Sequence, residues 1–446
     1  MLLEFSKTNN IFESMNIRFL TLAIILLLNT VGLYSQEDSD YYEENRLRYD
    51  NYTYNDSINA VKIFRLGWRM SYPVIGLNTD DKIKLIFDEV GRDVKDYYYK
   101  IIHCTKDWKP SDLMTMEYIN GVENKQVTDY SFSFNTVVSY THYEIVLPDD
   151  DMQITKSGNY LIMVYEDNDE EKLVLTRRFM VYEPLVDIKG MVDRASDLDY
   201  IKTHQEINFS IFTNQLYVND PYSEIKPVIL QNGFWNFGSY DISPTMVKDK
   251  EIVYNYNSAC LFPGVDEFRH FDAKDLKYQT QNVKEIVFEP PYYHFKLYDD
   301  EVRRFMIYKS DEDIDGKYLI KANYRTNSDI EADYIHVYFT LPYDEPLSNG
   351  NVYVFGDLSD GQFTAKNRMI YNYRKKAYQL RLMLKQGYYN YWYVLYKDES
   401  KKPDATYFEG SHYQTENDYM IIVYYRSMSS TYDRIVGYNV INSVTK

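Results

Sequence analysis

Apolar and polar residues alternate along most of this chain with a period of two. In "THYEIVLP" (141–148), Thr141, Tyr143, Ile145 and Leu147 point one way and His142, Glu144 and Val146 the other. That is the signature of a strand with one buried face. "GNYLIMVYEDNDEEKLVLTRRFMVYEP", from Gly158, predicts two strands around the polar turn Asp167 to Glu171. Pro184 ends that pair, and the pattern restarts beyond it. "EINFSIF" (206–212), "KPVILQNGFW" (226–235, with Asn232-Gly233 as a turn signal) and "KEIVFEP" (284–290) make a second set. After the break "SDEDIDG" (310–316) follow "KYLIKANY", "DYIHVYFTLP", "NVYVFGDL", "KAYQLRLMLKQGYYNYWYVLY" and "NDYMIIVYYR". No segment of a dozen residues holds a helical period cleanly. The pattern predicts an all-β chain of three antiparallel β-sandwich (immunoglobulin-like) domains in tandem, at 59–184, 185–316 and 317–446.

The N-terminus departs from this pattern. "MNIRFLTLAIILLLNTVGLYSQ" (15–36) has one basic residue, Arg18, then an apolar run from Phe19 to Leu28, then small or neutral residues. This is the layout of a secretory signal, expected at 15–35, with residues 1–14 an upstream extension. The run is too short to span a membrane. Residues 36–58 are acidic and without a period, and read as a solvated lead-in. Export permits disulfides, but two cysteines, Cys104 and Cys260, give no disulfide framework. A single bridge between them stays open.

The formal net charge of −18 excludes partners that are themselves anionic, since phosphate neutralisation needs clustered Lys and Arg. Tyrosine stands out at 49 residues. It favours strands and supplies flat, amphipathic contact area.

Three stretches imitate chemistry. "HCTKDWKPSDL" (103–113) sets His103 beside Cys104, with Asp107, Ser111 and Asp112 following. Alternation ahead of it predicts a strand reaching Cys104. Adjacent strand residues point to opposite faces, so His103 and Cys104 do not form a dyad. The expectation is a strand and a turn closing over the indole of Trp108. "DEFRHFDAKDL" (266–276) gathers Glu267, Arg269, His270, Asp272 and Asp275 around Phe268 and Phe271. Paired carboxylates serve glycoside hydrolysis only across a cleft of defined width, and the expectation is a buried element in which Arg269 pairs a carboxylate. In "DEDIDG", Asp311, Asp313, Asp315 and Gly316 match positions 1, 3, 5 and 6 of a calcium loop. Position 12, where a bidentate Glu belongs, is Ala322, so a polar turn is the default. There is no G-x-G-x-x-G, P-loop, H-E-x-x-H, C-x-x-C or G-x-S-x-G. No catalytic residue and no cofactor is assigned, and no enzyme is expected.

"HCTKDWKPSDL", "EYINGVENKQVTDYSFSFNT", "YTHYEIVLP", "SGNYLIMVY", "LTRRFMVYE", "GVDEFRHFDAKDL", "FEGSHYQTENDYMIIVYYR" and "YDRIVGYNVINS" together resemble the type IX secretion system plug protein of Bacteroidetes. The likeness covers nearly all of the chain after the signal. Asp266 departs from it, standing where Asn is expected before "EFR". The resemblance implies a non-enzymatic periplasmic protein on the inner face of the outer membrane. It would dock on the outer-membrane translocon barrel and close its periplasmic opening, with no direct membrane insertion and no nucleic acid partner. The last block is separately similar to immunoglobulin-like (E-set) modules of the starch-binding kind, through "VYVFGDLSDGQF" and "LKQGYYNYWYVLY". This gives an alternative, an exported glycan-binding protein with Trp392, Tyr391 and Phe363 as stacking residues. A hydrolase built around Glu267 is a third reading.

Overall fold

In the computed structural model, which describes residues 46–91 and 93–444, the period-two segments are strands. The first group comprises β1 (Tyr52–Thr53), β2 (Ile58–Arg65), β3 (Ile83–Val90), β4 (Tyr97–Cys104), β5 (Tyr140–Leu147), β6 (Gly158–Glu166) and β7 (Leu173–Tyr182). One sheet orders β1, β7, β6 and β4; the facing sheet orders β2, β3 and β5. Phe87, Tyr97, Tyr143, Tyr160 and Phe179 lie in the apolar core between them. Phe87 stacks on Tyr143 at 5.1 Å. Tyrosine fills this core because a strand gives its ring an apolar face and its hydroxyl a partner; the Tyr97 hydroxyl donates to Glu89 at 2.6 Å.

The second group comprises β8 (Asp187–Arg194), β9 (His204–Phe212) and β10 (Ile225–Gln231), and the third begins with β11 (Arg269–Asp272), β12 (Val283–Glu289) and β13 (Tyr292–Leu297). The third continues through β14 (Tyr318–Ile320), β15 (Tyr334–Pro342), β16 (Gly350–Phe355), β17 (Ile370–Asn372), β18 (Ala377–Lys385) and β19 (Gly387–Lys397). The chain ends with β20 (Asp418–Tyr425) and β21 (Arg434–Asn442). These last two return to the second group: β10 pairs with β20 from Ile225↔Tyr425 to Gln231↔Tyr419, and β20 pairs with β21. Ile207, Ile229, Ile421 and Val436 share one core there.

Two expectations therefore change. The sheet pairs are not in tandem, because the third group sits inside the sequence of the second. A boundary at 316 also fails, since Phe271, Val283 and Phe295 share a core with Tyr318, Ile335 and Tyr389. Alternation marks where strands lie; pairing depends on which apolar edges meet after collapse, and that carries no local signal.

The acidic lead-in is partly built in. β1 pairs with β7 at Tyr52↔Thr176 and Thr53↔Leu175, and Arg178 Nε donates to Tyr49 O at 2.7 Å. The expected signal at 15–35, the extension at 1–14 and the start of the lead-in lie outside the described residues. Among the described residues no helix is long and apolar enough to cross a membrane. Arg48–Lys446 forms one compact unit.

Candidate functional site

At the end of β4, His103 and Cys104 point apart, as strand geometry requires. His103 Nδ1 lies 2.9 Å from Ser111 Oγ and Nε2 3.1 Å from Ser157 O. Burial lowers its pKa to about 4, so the ring is neutral. Cys104 Sγ donates to Ile102 O at 3.6 Å, and burial pushes its thiol up to about 12. A neutral thiol with no base beside it is no nucleophile. Cys104 and Cys260 are both buried and free, which removes the bridge left open above. Trp108 is buried, but against the second group rather than in the first core. Its ring packs edge-on to Trp235 at 5.1 Å, and the Arg178 guanidinium lies 4.3 Å from its centroid. A left-handed backbone (φ 57°), unusual for so large a residue, turns the indole into that slot.

The second stretch is a buried ion network. Arg269 Nε donates to both Glu409 oxygens at 3.0 and 2.9 Å, and Nη1 to Asp300 at 2.9 Å. Arg303 reaches the same Glu409 at 2.8 Å. Glu267 accepts from the Tyr308 hydroxyl at 2.6 Å, and burial pushes its carboxyl up to about 7. Asp266 Oδ1 lies 2.6 Å from His412 Nδ1. Asp272 accepts the N–H of Lys274, and Asp275 those of Lys277 and Tyr278. His270 is buried against Tyr388. Each carboxylate holds its own partners, an arrangement that ties loops to β11 and β19.

In the "DEDIDG" turn, Asp313 points inward. It accepts from Phe268 N at 2.5 Å and from Asp315 N at 2.8 Å, and burial pushes its carboxyl up to about 8. Asp315 turns to Lys317, 3.4 Å away, and Asp311 is exposed. The three do not converge as calcium ligands.

The aromatic platform also fails. Trp392 is 1% exposed and Tyr391 2%. Trp392 stacks on Phe268 at 3.6 Å and donates its Nε1–H to Asp266 O at 2.9 Å. Phe363 stacks on Phe355 at 4.9 Å. Trp392 and Tyr391 offer a sugar no free ring, and Phe363 is half-buried.

What the sequence reading missed is a buried polar junction between the first and third groups. Asp88, on β3, accepts from the Tyr334 hydroxyl at 2.6 Å and from Lys385 Nζ at 2.5 Å, and its Oδ1 lies 2.6 Å from His142 Nδ1. Burial opposes ionisation of Asp88, but Lys385 and His142 outweigh it and hold the carboxyl below its usual range. His142, Glu144 and Asp329 are the one set of three potential metal ligands that converges among the described residues. Lys84 already lies 2.6 Å from Glu144, and Arg69 holds Asp329 at 2.8 Å, so protein cations neutralise those carboxylates. The signal for this junction was an Asp in the apolar run "KLIFDEV" and a Lys in "LMLKQG", each on the face opposite its own core.

Beside the junction lies a cleft of about 480 Å³, lined by most of residues 51–61 and 357–367, by 381–385, and by Tyr318 and Tyr389. Ile58, Val61, Leu382 and Leu384 give it apolar walls, and Asp56, Asp360, Lys366 and Arg381 a charged rim.

The family model described as the type 9 secretion system plug protein 1st domain matches residues 58–183. A crystal structure of a hypothetical protein from Parabacteroides merdae ATCC 43184 is 33% identical, with 89% of this chain and 100% of that chain covered and a TM-score of 0.87. An alkylpurine DNA glycosylase from Pseudomonas fluorescens bound to abasic-site DNA is 10% identical, covering 28% of this chain and 30% of its own, with a TM-score of 0.16, and carries no argument. No curated protein matches the chain. The matched domain is the first sheet pair with the loops around His103 and Trp108, and the chain belongs to the type IX secretion system plug protein family.

Proposed function

We propose that this protein is a periplasmic plug that docks on the outer-membrane translocon barrel of the type IX secretion system and closes its periplasmic opening. The family match over residues 58–183 is the observation that carries this reading. The geometry is compatible with it: a buried ion pair joins the first sheet pair to the third and the Trp108–Trp235 contact joins the first to the second, and a stopper works by shape and contact area. It acts without catalysis and without a cofactor. A stable seat needs an interface of at least about 1,600 Å² in total. With a net charge of −18, docking on a basic mouth is steered by complementary potentials and weakens as salt rises. Affinity purification from detergent-extracted outer membranes tests this directly. The barrel should be retained at low salt and progressively lost between 0.1 and 1 M salt, screening falling to about 3 Å at the upper limit. Absence of the barrel at every salt concentration would refute docking.

A further inference from the structure

One wall of the 480 Å³ cleft is an open strand edge. β18 pairs with β15 along its whole length, from Ala377↔Pro342 to Lys385↔Tyr334, without a bulge. On its other side β17 covers only Ala377–Gln379. Ahead of β17 the chain veers off, because Met369 N donates to Val352 O and so follows β16. Hydrogen-bonded pairs alternate along an antiparallel ladder. Gln386 N donates to Asp333 O, which sets Leu384, Leu382 and Leu380 toward β15. Arg381, Met383 and Lys385 then face the uncovered side, as Gln379 does in its pair with Ile370. Lys385 O accepts from the Tyr389 hydroxyl at 2.5 Å, which closes one end. Among the described residues no strand pairs with the N–H and C=O groups of Arg381 and Met383 on this side, and both residues line the cleft.

A recessed edge of this kind is a template for an added strand. From Arg381 to Lys385 it runs roughly 13 Å, about four residues of extended chain. A second copy of this protein does not fit, since its corresponding edge is sunk in the same cleft. What fits is a loop or terminal segment, extended, with apolar side chains toward Leu382, Leu384 and Tyr318. Arg381 is exposed and makes no ion pair among the described residues, so an acidic side chain at the rim completes the match.

We infer that this edge receives an extended segment of the translocon subunit itself, added as a strand alongside β18. The inference rests on the docking reading above. It is tested on the full-length chain, free and in the complex purified from cells, by hydrogen exchange over peptides spanning 380–384. In the free chain the amides of Arg381 and Met383 should exchange at least tenfold faster than those of Leu382 and Leu384. In the complex all four should be protected. Met383→Pro removes an N–H that β15 does not use, so the variant should keep a cooperative melt and lose at least tenfold in retained barrel. Arg381→Glu should lose severalfold.

A complex that forms with the Arg381 and Met383 amides unprotected overturns strand addition while leaving docking intact. So does a folded Met383→Pro variant that retains the barrel like the native chain. If that variant does not fold, the exchange measurement on the native chain decides alone. Protection produced by a secreted cargo protein without the barrel would overturn the assigned source. Failure of the native chain to hold any barrel removes docking, and this inference with it.

Discussion

The Asp88 carboxylate and the Lys385 ammonium meet at 2.5 Å, 297 positions apart, with both side chains buried. They join the first sheet pair to the third, and neither charge has water to fall back on. Removing one partner strands the other, which typically costs about 3–5 kcal/mol. Asp88→Ala and Lys385→Ala should each destabilise by about that amount in denaturant titrations, and the double variant by clearly less than their sum. Single losses below about 1 kcal/mol would show that the junction does not hold the two parts together.

Buried carboxyls set a pH dependence. Asp313 keeps its proton up to about pH 8 and Glu267 up to about 7, in both cases chiefly through burial, whereas in the unfolded chain they ionise near ~3.9 and ~4.3. The native state therefore binds more protons across this range, and stability falls as pH rises toward the folded values. Below about pH 6.5 the neutral His103, held near 4 by burial, pulls the other way. The clean window is thus pH 6.5 to about 8. Melting temperature should fall across it, and Asp313→Asn should flatten the slope. An unchanged slope in that variant would contradict the assignment.

Trp108 ties the first group to the second through Trp235 and Arg178. Trp108→Ala should cost about 3–5 kcal/mol, as for a buried large-to-small change. Trp235→Ala should cost less when Trp108 is already gone, because the two share one contact. Denaturant midpoints of the two single variants and the double variant check this; strict additivity would contradict it.

Cys104 and Cys260 are buried thiols whose pKa values are pushed up to about 12 by burial. Neither should react with iodoacetamide at pH 8 in the native protein, and both should react after unfolding. Melting should be indifferent to reductant. Rapid native alkylation of Cys104 would reopen a chemical role for it.

The strands were legible because one face of each is apolar, and "KAYQLRLMLKQGYYNYWYVLY" shows it: the segment is two successive strands, β18 and β19, which belong to different sheets. The return of β20 to β10 was not legible, since "DYMIIVYY" is apolar enough for any sheet. His142 illustrates the limit for the site. Alternation assigned it to a solvent face, yet that face is buried against Tyr334 and Lys385 of another sheet pair. Trp392 illustrates the converse: its position in a glycan-module-like stretch suggested a platform, and its burial on Phe268 follows from a neighbour 124 positions away. Arg269, flanked by Phe268 and Phe271, was read as a buried partner for a carboxylate, and Glu409 is that partner.

The central claim is closure of the secretion pore, and outer-membrane permeability measures it most directly. Cells lacking this protein should admit a large antibiotic that native cells exclude, and removing the translocon barrel as well should restore exclusion. Equal resistance of native and deletion cells, with the barrel present in both, would contradict the account.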